Sequence, residues 1–404
     1  MQREVLATLV AATFVLGAGA AQAQISDGVI KIGVLNDMSG LYADIAGPGS
    51  VVAAKMAIED FGAAKKGMKV EVVGADHQNK PDIGSTIART WYDTDKVDVI
   101  VDVPTSSVAL AVNQITRDKG KAFLVSGAAT SDLTGKACSP NTIHWTYDTW
   151  MLANGTGSAI TKTGGDTWFF LTADYAFGHA LERDTEAVVL KNGGKVLGKV
   201  RTPFPGTDFS SFLLQAQASK AKIIGLANAG GDTINSIKQA AEFGIVKGGQ
   251  NLAGMLVFLT DIKALGLATA QGLIFTETFY WDRDDASRAF TKRFIAQSPH
   301  GNYPTMVQAG VYSAVLHYLK AVEALKSDDG TKVIAKMKEI PTDDPLFGKG
   351  SVRADGRKIH NAYLLQVKKP SESKGPWDLM KVRATIPAAE AFRPVADGGC
   401  PLVK

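Results

Sequence analysis

Short β-branched, apolar runs alternate with amphipathic stretches along most of this chain. Val29-Ile-Lys-Ile-Gly-Val-Leu35 is apolar at most positions, as a strand buried on both faces requires. A polar cluster follows, from Asn36 to Asp44. Between Gly49 and Phe61, Val52, Met56, Ala57 and Phe61 recur at helical spacing. The pattern then predicts strands at Lys69–Val73, Val97–Val103 and Ala122–Val125, with helices at Asp82–Asp93 and Val108–Lys119. It resumes with strands at Thr167–Leu171, Lys195–Val200 and Lys222–Leu226. Helices are predicted between and after them, at Gly178–Lys191, Ser210–Ser219 and Gly231–Phe243. Strand–helix–strand spacing repeated in this way predicts an α/β fold of parallel sheets covered by helices on both faces.

The alternation divides into two doubly wound units. Asp148–Thr161 separates them. A second junction falls near Glu277, where aromatic residues accumulate. A third follows Phe347-Gly-Lys-Gly350, because strand-like Ala362–Val367 arrives late and must join a sheet already laid down. The expected division is a first lobe of residues 24–147 and 278–346, a second of 148–277 and 347–390, and a tail of 391–404. Open α/β sheets bind ligands at the carboxyl ends of their strands. The loops of interest are therefore 36–49, 103–108, 126–134, 173–178 and 227–233, facing a cleft between the lobes.

Residues 1–23 do not fit the alternation. Val5–Gly17 is uncharged and mostly apolar, and Ala21-Gln22-Ala23 supplies a small-x-small cleavage pattern. This reads as a secretory signal peptide, with Gln24 starting the mature chain. The apolar run is shorter than the ~20 residues that a membrane span needs. Export to the periplasm excludes most cytoplasmic functions. It also bears on the two cysteines, Cys138 and Cys400: an even count in an exported protein points to a disulfide. Such a bridge would tie the tail to the first half of the chain, with a loop-entropy contribution of ~4–5 kcal/mol at most.

Charge and motif content narrow the function. The net charge of +4 over 404 residues gives no concentrated basic face for nucleic acid. No nucleophile elbow, P-loop, H-E-x-x-H or G-x-G-x-x-G motif is present. The six histidines are scattered. No cofactor or metal site is expected, and the expectation is that the protein is not an enzyme. Two turns are better placed. Pro104-Thr-Ser-Ser107 follows a buried strand and opens a helix, so it offers hydroxyls and free helix N–H groups to an anion. Ser126-Gly-Ala-Ala-Thr130 repeats the arrangement after the next strand. Taken singly, each turn is also explained by helix capping.

Several segments together carry a resemblance. They are Ile32-Gly-Val-Leu-Asn-Asp-Met-Ser-Gly40 with Tyr42, Thr105-Ser-Ser107, Ser126-Gly-Ala-Ala-Thr-Ser-Asp-Leu-Thr134 and Asp174-Tyr-Ala-Phe-Gly178. In order and spacing they resemble the leucine/isoleucine/valine-binding proteins, type I periplasmic solute-binding proteins of ABC importers. The resemblance covers nearly the whole mature chain. It implies two α/β lobes joined by three crossovers, closing on a ligand that passes to an ABC permease in the inner membrane. It implies a monomer with no nucleic-acid partner. The family's carboxylate-holding residues fall on Ser106, beside Ser107, and on Ala128 and Thr130. Its aromatic contacts fall on Tyr42 and Phe177.

One family feature has no counterpart. The family holds the ligand's ammonium with an acidic side chain of the second lobe, whereas the matching stretch here is Ala253-Gly-Met-Leu-Val-Phe-Leu259. An aromatic the family supplies nearby is replaced at Asn228–Ala229. Asp261 or Glu277 are the acids that would have to reach an amine. Phe279, Tyr280 and Trp281 follow one another near a crossover, either as a packed hinge or as an aromatic wall beside a flat ligand. Trp145, Tyr147 and Trp150 present the same pair of readings at the other crossover. The expected ligand is a small aromatic carboxylate resembling benzoate, phenylacetate or hydroxycinnamate. The alternative is a branched-chain or other apolar amino acid. The candidate ligand-binding residues are Tyr42, Ser106, Ser107, Ala128, Thr130, Phe177, Asn228, Phe279 and Tyr280.

Overall fold

The computed structural model describes residues 25–403, so the signal-peptide reading of residues 1–23 lies outside the described residues. The first sheet is parallel and contains β1 (Ile30–Asn36), β2 (Val70–Asp76), β3 (Val99–Asp102), β4 (Ala122–Val125) and β5 (Thr142–His144). Their order is β2-β1-β3-β4-β5. Helices α1 (Gly47–Phe61), α2 (Pro81–Asp93) and α3 (Ser106–Lys119) connect its strands. β3 and β4 are buried at every position, which is why their sequences run apolar rather than alternating.

The chain then enters the second lobe through α4 (Thr149–Leu152), a π-helical turn at Ala153–Gly157 and α5 (Ser158–Lys162). The second parallel sheet contains β6 (Thr167–Ala173), β7 (Lys195–Thr202), β8 (Ile223–Ala227) and β9 (Asn251–Gly254), ordered β7-β6-β8-β9. Helices α6 (Ala176–Lys191), α7 (Ser210–Ala218), α8 (Gly231–Glu242), α9 (Leu259–Leu265) and α10 (Leu267–Ala270) follow its strands in turn. β10 (Ile274–Glu277) ends this passage. The chain returns to the first lobe with α11 (Asp285–Ile295), α12 (Met306–Leu325) and α13 (Gly330–Glu339). α12 is buried along almost its whole length and packs on α1. Gly310 lets it approach the first crossover, because a Cβ there would collide with the Thr146 hydroxyl.

Three short strands come next, β11 (Thr342–Asp344), β12 (Gly348–Val352) and β13 (Lys358–Ile359). Finally β14 (Ala362–Val367) and β15 (Met380–Ile386) form an antiparallel sheet with β10, before α14 (Ala388–Ala391). The lobes are thus joined by three crossovers, at residues 145–148, 278–284 and 360–361.

The third crossover lies later than the sequence division places it. Residues 347–359 belong with the first lobe, since Arg357 bridges His144 beside β5. The glycines at 348 and 350 mark the β11–β12 hairpin, not a passage between lobes. Among the described residues, no helix is long and apolar enough to cross a membrane.

The crossovers are held by buried charge. Arg357 Nη1 lies 3.3 Å from Asp148 Oδ2 and donates to the Tyr147 carbonyl at 3.2 Å, with both side chains sealed from solvent. Burial pushes Arg357 down to about 10 and raises Asp148. Lys358 is also fully buried, 3.7 Å from Asp344 and enclosed by the rings of Trp145 and Phe347. Its pKa falls to about 8, again chiefly through burial.

The tail forms a fourth connection. It leaves β15 and returns to the first lobe, where Phe392 packs under Arg357 and Arg393 donates to the Ser131 carbonyl at 2.9 Å. Cys138 and Cys400 then close a disulfide across 262 residues.

Asp148→Ala leaves a buried guanidinium without its carboxylate and should cost about 3–5 kcal/mol. Chemical denaturation measures it, and a loss below 1 kcal/mol would show that the pair does not hold the crossovers. Replacing Cys138 and Cys400 together with Ser should lower the melting temperature by several degrees, since losing a native disulfide costs roughly 2–5 kcal/mol. It should also expose the tail near Arg393 to trypsin. An unchanged melting temperature and digestion pattern would show that the tail stays docked without the bridge.

Candidate ligand-binding site

A narrow, nearly closed cleft lies between the lobes at the carboxyl ends of both parallel sheets, with a cavity volume of only about 10 Å³. The first lobe contributes Tyr42, Ile45, Pro104, Gly127 and Ala129, and the first crossover contributes Tyr147. The second lobe contributes Tyr175, Phe177, Ala229, Leu256 and Phe258. No Asp, Glu, Lys, Arg or His belongs to this wall. A wider surface groove lies at the opposite end of the second sheet, beside Lys222, Ile223, Asn251 and Leu252. It opens at the amino ends of the strands, where ligands of such sheets do not sit.

Local interactions explain why these side chains meet. The Asp37 carboxylate gathers the first loop by accepting from the N–H groups of Gly40 and Tyr42, at 2.7 and 2.9 Å, and from the Asn79 amide at 2.6 Å. Asn79 accepts in turn from the Thr105 hydroxyl, which links the loop to the start of α3. Tyr42 is thereby aimed across the cleft. Its hydroxyl is 2.6 Å from the Tyr175 hydroxyl, and Phe204 stacks on Tyr175 with ring centroids 3.9 Å apart. Tyr147 donates to the Gly127 carbonyl at 2.5 Å and meets Phe258 edge-on. Burial raises all three tyrosine hydroxyls well above their ordinary pKa, so they remain protonated.

Beside the cleft, a polar bridge also joins the lobes. Ser131 donates to Asp184 at 2.7 Å, and Arg183 contacts Ser131 at 2.8 Å and Asp132 at 3.0 Å. Thr149 donates to the same Asp184 carboxylate at 2.6 Å.

Tyr42 and Phe177 lie in the wall, at the positions expected from the sequence. Ala128 and Thr130 stand one residue from the wall, and Ser106 and Ser107 follow Pro104 by two and three residues. Ser106 begins α3, and its hydroxyl accepts the Thr130 N–H at 3.2 Å. The Thr130 hydroxyl accepts from Asp132 N–H, and the Ala128 carbonyl meets His144 Nε2 at 2.7 Å. The surface itself is made by Pro104, Gly127 and Ala129. Asn228 is turned away from the cleft. It bonds Ser236 and Thr233 at the start of α8, and its neighbour Ala229 faces the cleft instead.

Phe279 and Tyr280 are not in the wall. Phe279 packs edge-on against Phe290 in the core, and the Tyr280 hydroxyl donates to the Met380 carbonyl at 3.1 Å. The crossover runs along the outside of the cleft, so its successive aromatics fill the packing on either side of it. Tyr147, Tyr175 and Phe258 supply the flat surface instead. Tyr175 could have been found from the sequence, since it stands two residues before Phe177 in the same strand-to-helix turn.

Backbone donors stand beside the apolar surface of one wall. The N–H groups of Ala128 and Ala129 have no acceptor among the described residues, and the first N–H groups of α3 have none within the helix. Together they form a donor cradle on one wall. Acids stand one layer behind. Asp232, at the start of α8, is pushed up to about 6 by burial, and Asp261 to about 7. Glu277 is raised well above the ordinary carboxyl value, chiefly by burial and also by Asp261.

The chain matches the family described as "Periplasmic binding protein" over residues 29–375. It is 53% identical to a periplasmic binding protein of Burkholderia mallei, covering 94% of this chain and 100% of that one with a TM-score of 0.91. It is 42% identical to a branched chain amino acid ABC transporter periplasmic ligand-binding protein of Burkholderia xenovorans (93% and 100% covered, TM-score 0.82). A solute-binding protein of an R. palustris ABC transporter, solved in complex with benzoate, shares the fold at 22% identity, with 89% and 97% covered and a TM-score of 0.79. This chain belongs to the periplasmic binding protein family, as a type I solute-binding protein and not an enzyme.

Proposed function

We propose that this protein is exported to the periplasm, captures a small aromatic carboxylate and delivers it to an ABC permease in the inner membrane. The observation that carries the ligand class is the uncharged, aromatic wall of the cleft. Five of its side chains are aromatic: Tyr42, Tyr147, Tyr175, Phe177 and Phe258. Rings in offset or edge-on contact add ~0.5–1.5 kcal/mol each beyond their buried area. The donor cradle at Ala128, Ala129 and the start of α3 suits the carboxylate.

An amine finds no charged partner in the wall. Leu256 and Phe258 line the cleft in the stretch where the family resemblance implies an acid. Asp261 is turned to the Phe258 N–H at 3.0 Å, and Glu277 to the Leu259 N–H. Burying an unpaired ammonium costs several kcal/mol. The benzoate complex of the R. palustris protein is consistent with this reading. The amino-acid alternative keeps its place because the B. xenovorans relative is described as a branched chain amino acid transporter component.

Competition binding with phenylalanine against 3-phenylpropionate and cinnamate isolates the amine. The two acids are expected to bind, and phenylalanine and leucine to fail. In a thermal-shift screen, an acid at ~100 times its dissociation constant should stabilise by ~2.7 kcal/mol. Micromolar binding of leucine or phenylalanine without the acids would replace this reading with the amino-acid one.

Lobe closure gives a second test. The Tyr42–Tyr175 hydroxyl contact joins the two walls, and a hydrogen bond of this kind contributes about 0.5–1.5 kcal/mol net. Tyr175→Phe should therefore shift the unliganded protein toward a more open form, with a larger radius of gyration in small-angle scattering. An identical radius in the two proteins would show that this contact does not govern closure.

A further inference from the structure

Asp102 stands directly beneath the donor cradle. It ends β3, two residues before Pro104 of the cleft wall, and its side chain is completely buried. Oδ2 accepts from the Asn36 amide at 3.0 Å, and that amide also reaches the Gly47 carbonyl. Oδ1 is buried without a partner. A Cβ placed on Gly127 would lie 2.7 Å from that oxygen and 2.6 Å from Pro104 Cα. Gly127 lines the cleft, so its main chain is the layer that separates Oδ1 from the ligand space.

The backbone here is also unusual. Asp102 and Val103 both adopt left-handed conformations, with φ of 80° and 55°. For a β-branched residue such as Val103 this is a true outlier, held only because the surroundings enforce it. It places the carboxylate under Gly127 and turns Pro104 and Thr105 toward the cleft.

The groups that face Asp102 are Asn36 from β1, Ser50 from α1, Gly127 from the turn after β4 and Tyr147 from the first crossover. None of them carries positive charge. An ionised Asp102 therefore has nothing to offset a second anion arriving above it.

We propose that Asp102 is a specificity-determining residue that makes capture of an anionic ligand proton-linked, by taking up a proton as the ligand carboxylate enters the cradle. This deepens the carboxylate reading above and rests on it. The proton comes from solvent and ends on the Asp102 carboxyl, whose charge is thereby removed as the ligand's charge arrives. Burial already pushes Asp102 up to about 7, so it is partly ionised at neutral pH. A neighbouring anion raises it further. The sign follows. Below pH 7 the carboxyl is already neutral and binding takes up little. Above pH 7 each capture must protonate it, and affinity falls as pH rises. An aromatic carboxylic acid, with a pKa near the ordinary carboxyl value of about 4, stays ionised throughout. An uncharged ligand would bind without proton uptake.

The test is isothermal titration calorimetry of the mature protein with benzoate, 4-hydroxybenzoate, phenylacetate and cinnamate. Each is measured at pH 6, 7 and 8 in buffers of different ionisation enthalpy. For an acid that binds, uptake should grow from pH 6 to pH 8 toward one proton. Affinity should fall by up to about tenfold per pH unit above 7. Asp102→Asn should abolish both effects while still binding the acid. Binding at pH 8 with no uptake in the wild-type protein overturns the proposal and leaves the carboxylate reading standing. Uptake that persists in Asp102→Asn assigns it to another acid, such as Asp232 or Asp261, and also overturns it. If none of the four acids binds at any pH, the carboxylate reading itself fails, and the proposal with it.

Discussion

The buried contact of Arg357 with Asp148 is the constraint on which the rest of this structure depends. Asp148 belongs to the first crossover, and Arg357 lies three residues before the third. The guanidinium also holds the Tyr147 carbonyl and covers the ring of Phe392 in the tail. A buried ion pair is weak evidence of net stability, because two desolvated charges repay little beyond their own cost. Its consequence here is geometric. It brings two crossovers and the returning tail to one point, and the Tyr147 ring that hangs from this point becomes part of the cleft wall.

That arrangement couples hinge to site within a few residues. Trp145 is packed and bonded to Ser313, Tyr147 reaches Gly127, Asp148 meets Arg357, and Thr149 bonds the second lobe's Asp184. Four of five consecutive residues thus face four different parts of the molecule. A rotation of one lobe on the other must pass through this segment. The Tyr42–Tyr175 contact and the Ser131–Asp184–Arg183 bridge are the interactions that such a rotation would break. The disulfide limits it from outside, because it anchors to the first lobe a tail that emerges from the second.

The cleft shows a second regularity. Its surface is uncharged, yet Asp102, Asp261 and Glu277 lie just behind it, each buried and each raised by that burial. Asp261 accepts from the Phe258 N–H and so positions the wall, while the Glu277 carboxyl lies beside Leu259 of the same segment with its Oε1 unpartnered. Asp102 makes no such main-chain bond; its carboxylate accepts from the Asn36 amide and packs under Gly127. Acids in such places leave the ligand an apolar surface with oriented backbone donors, while the charges that shape it stay one layer away.

Much of this was legible in the chain itself. Strand Ala122–Val125 and strand Ala362–Val367 have the bounds that their apolar runs predict, and the helices of both doubly wound halves fall within a few residues of the periodicity. The turns after β3 and β4 were recognisable because small residues and hydroxyls there interrupt buried strands. Tyr42 and Phe177 were recognisable by their place in those loops. α12 gave less signal, because a helix buried on nearly every side has no polar face to set a period. Phe279 and Tyr280 were expected among the ligand-binding residues and instead pack beside the cleft, since consecutive aromatics look alike whether they line a cleft or pack beside it. The glycines at 348 and 350 mark a hairpin as readily as a passage between lobes. The sequence by itself determined most local elements of the two doubly wound halves, the parallel character of their sheets and the family, because these depend on periodicity, turn chemistry and spacing along the chain. Only the tertiary structure decided which aromatic rings meet across the cleft, where the chain crosses for the third time and which acids end up buried behind the wall, because each depends on packing between separate elements of the fold.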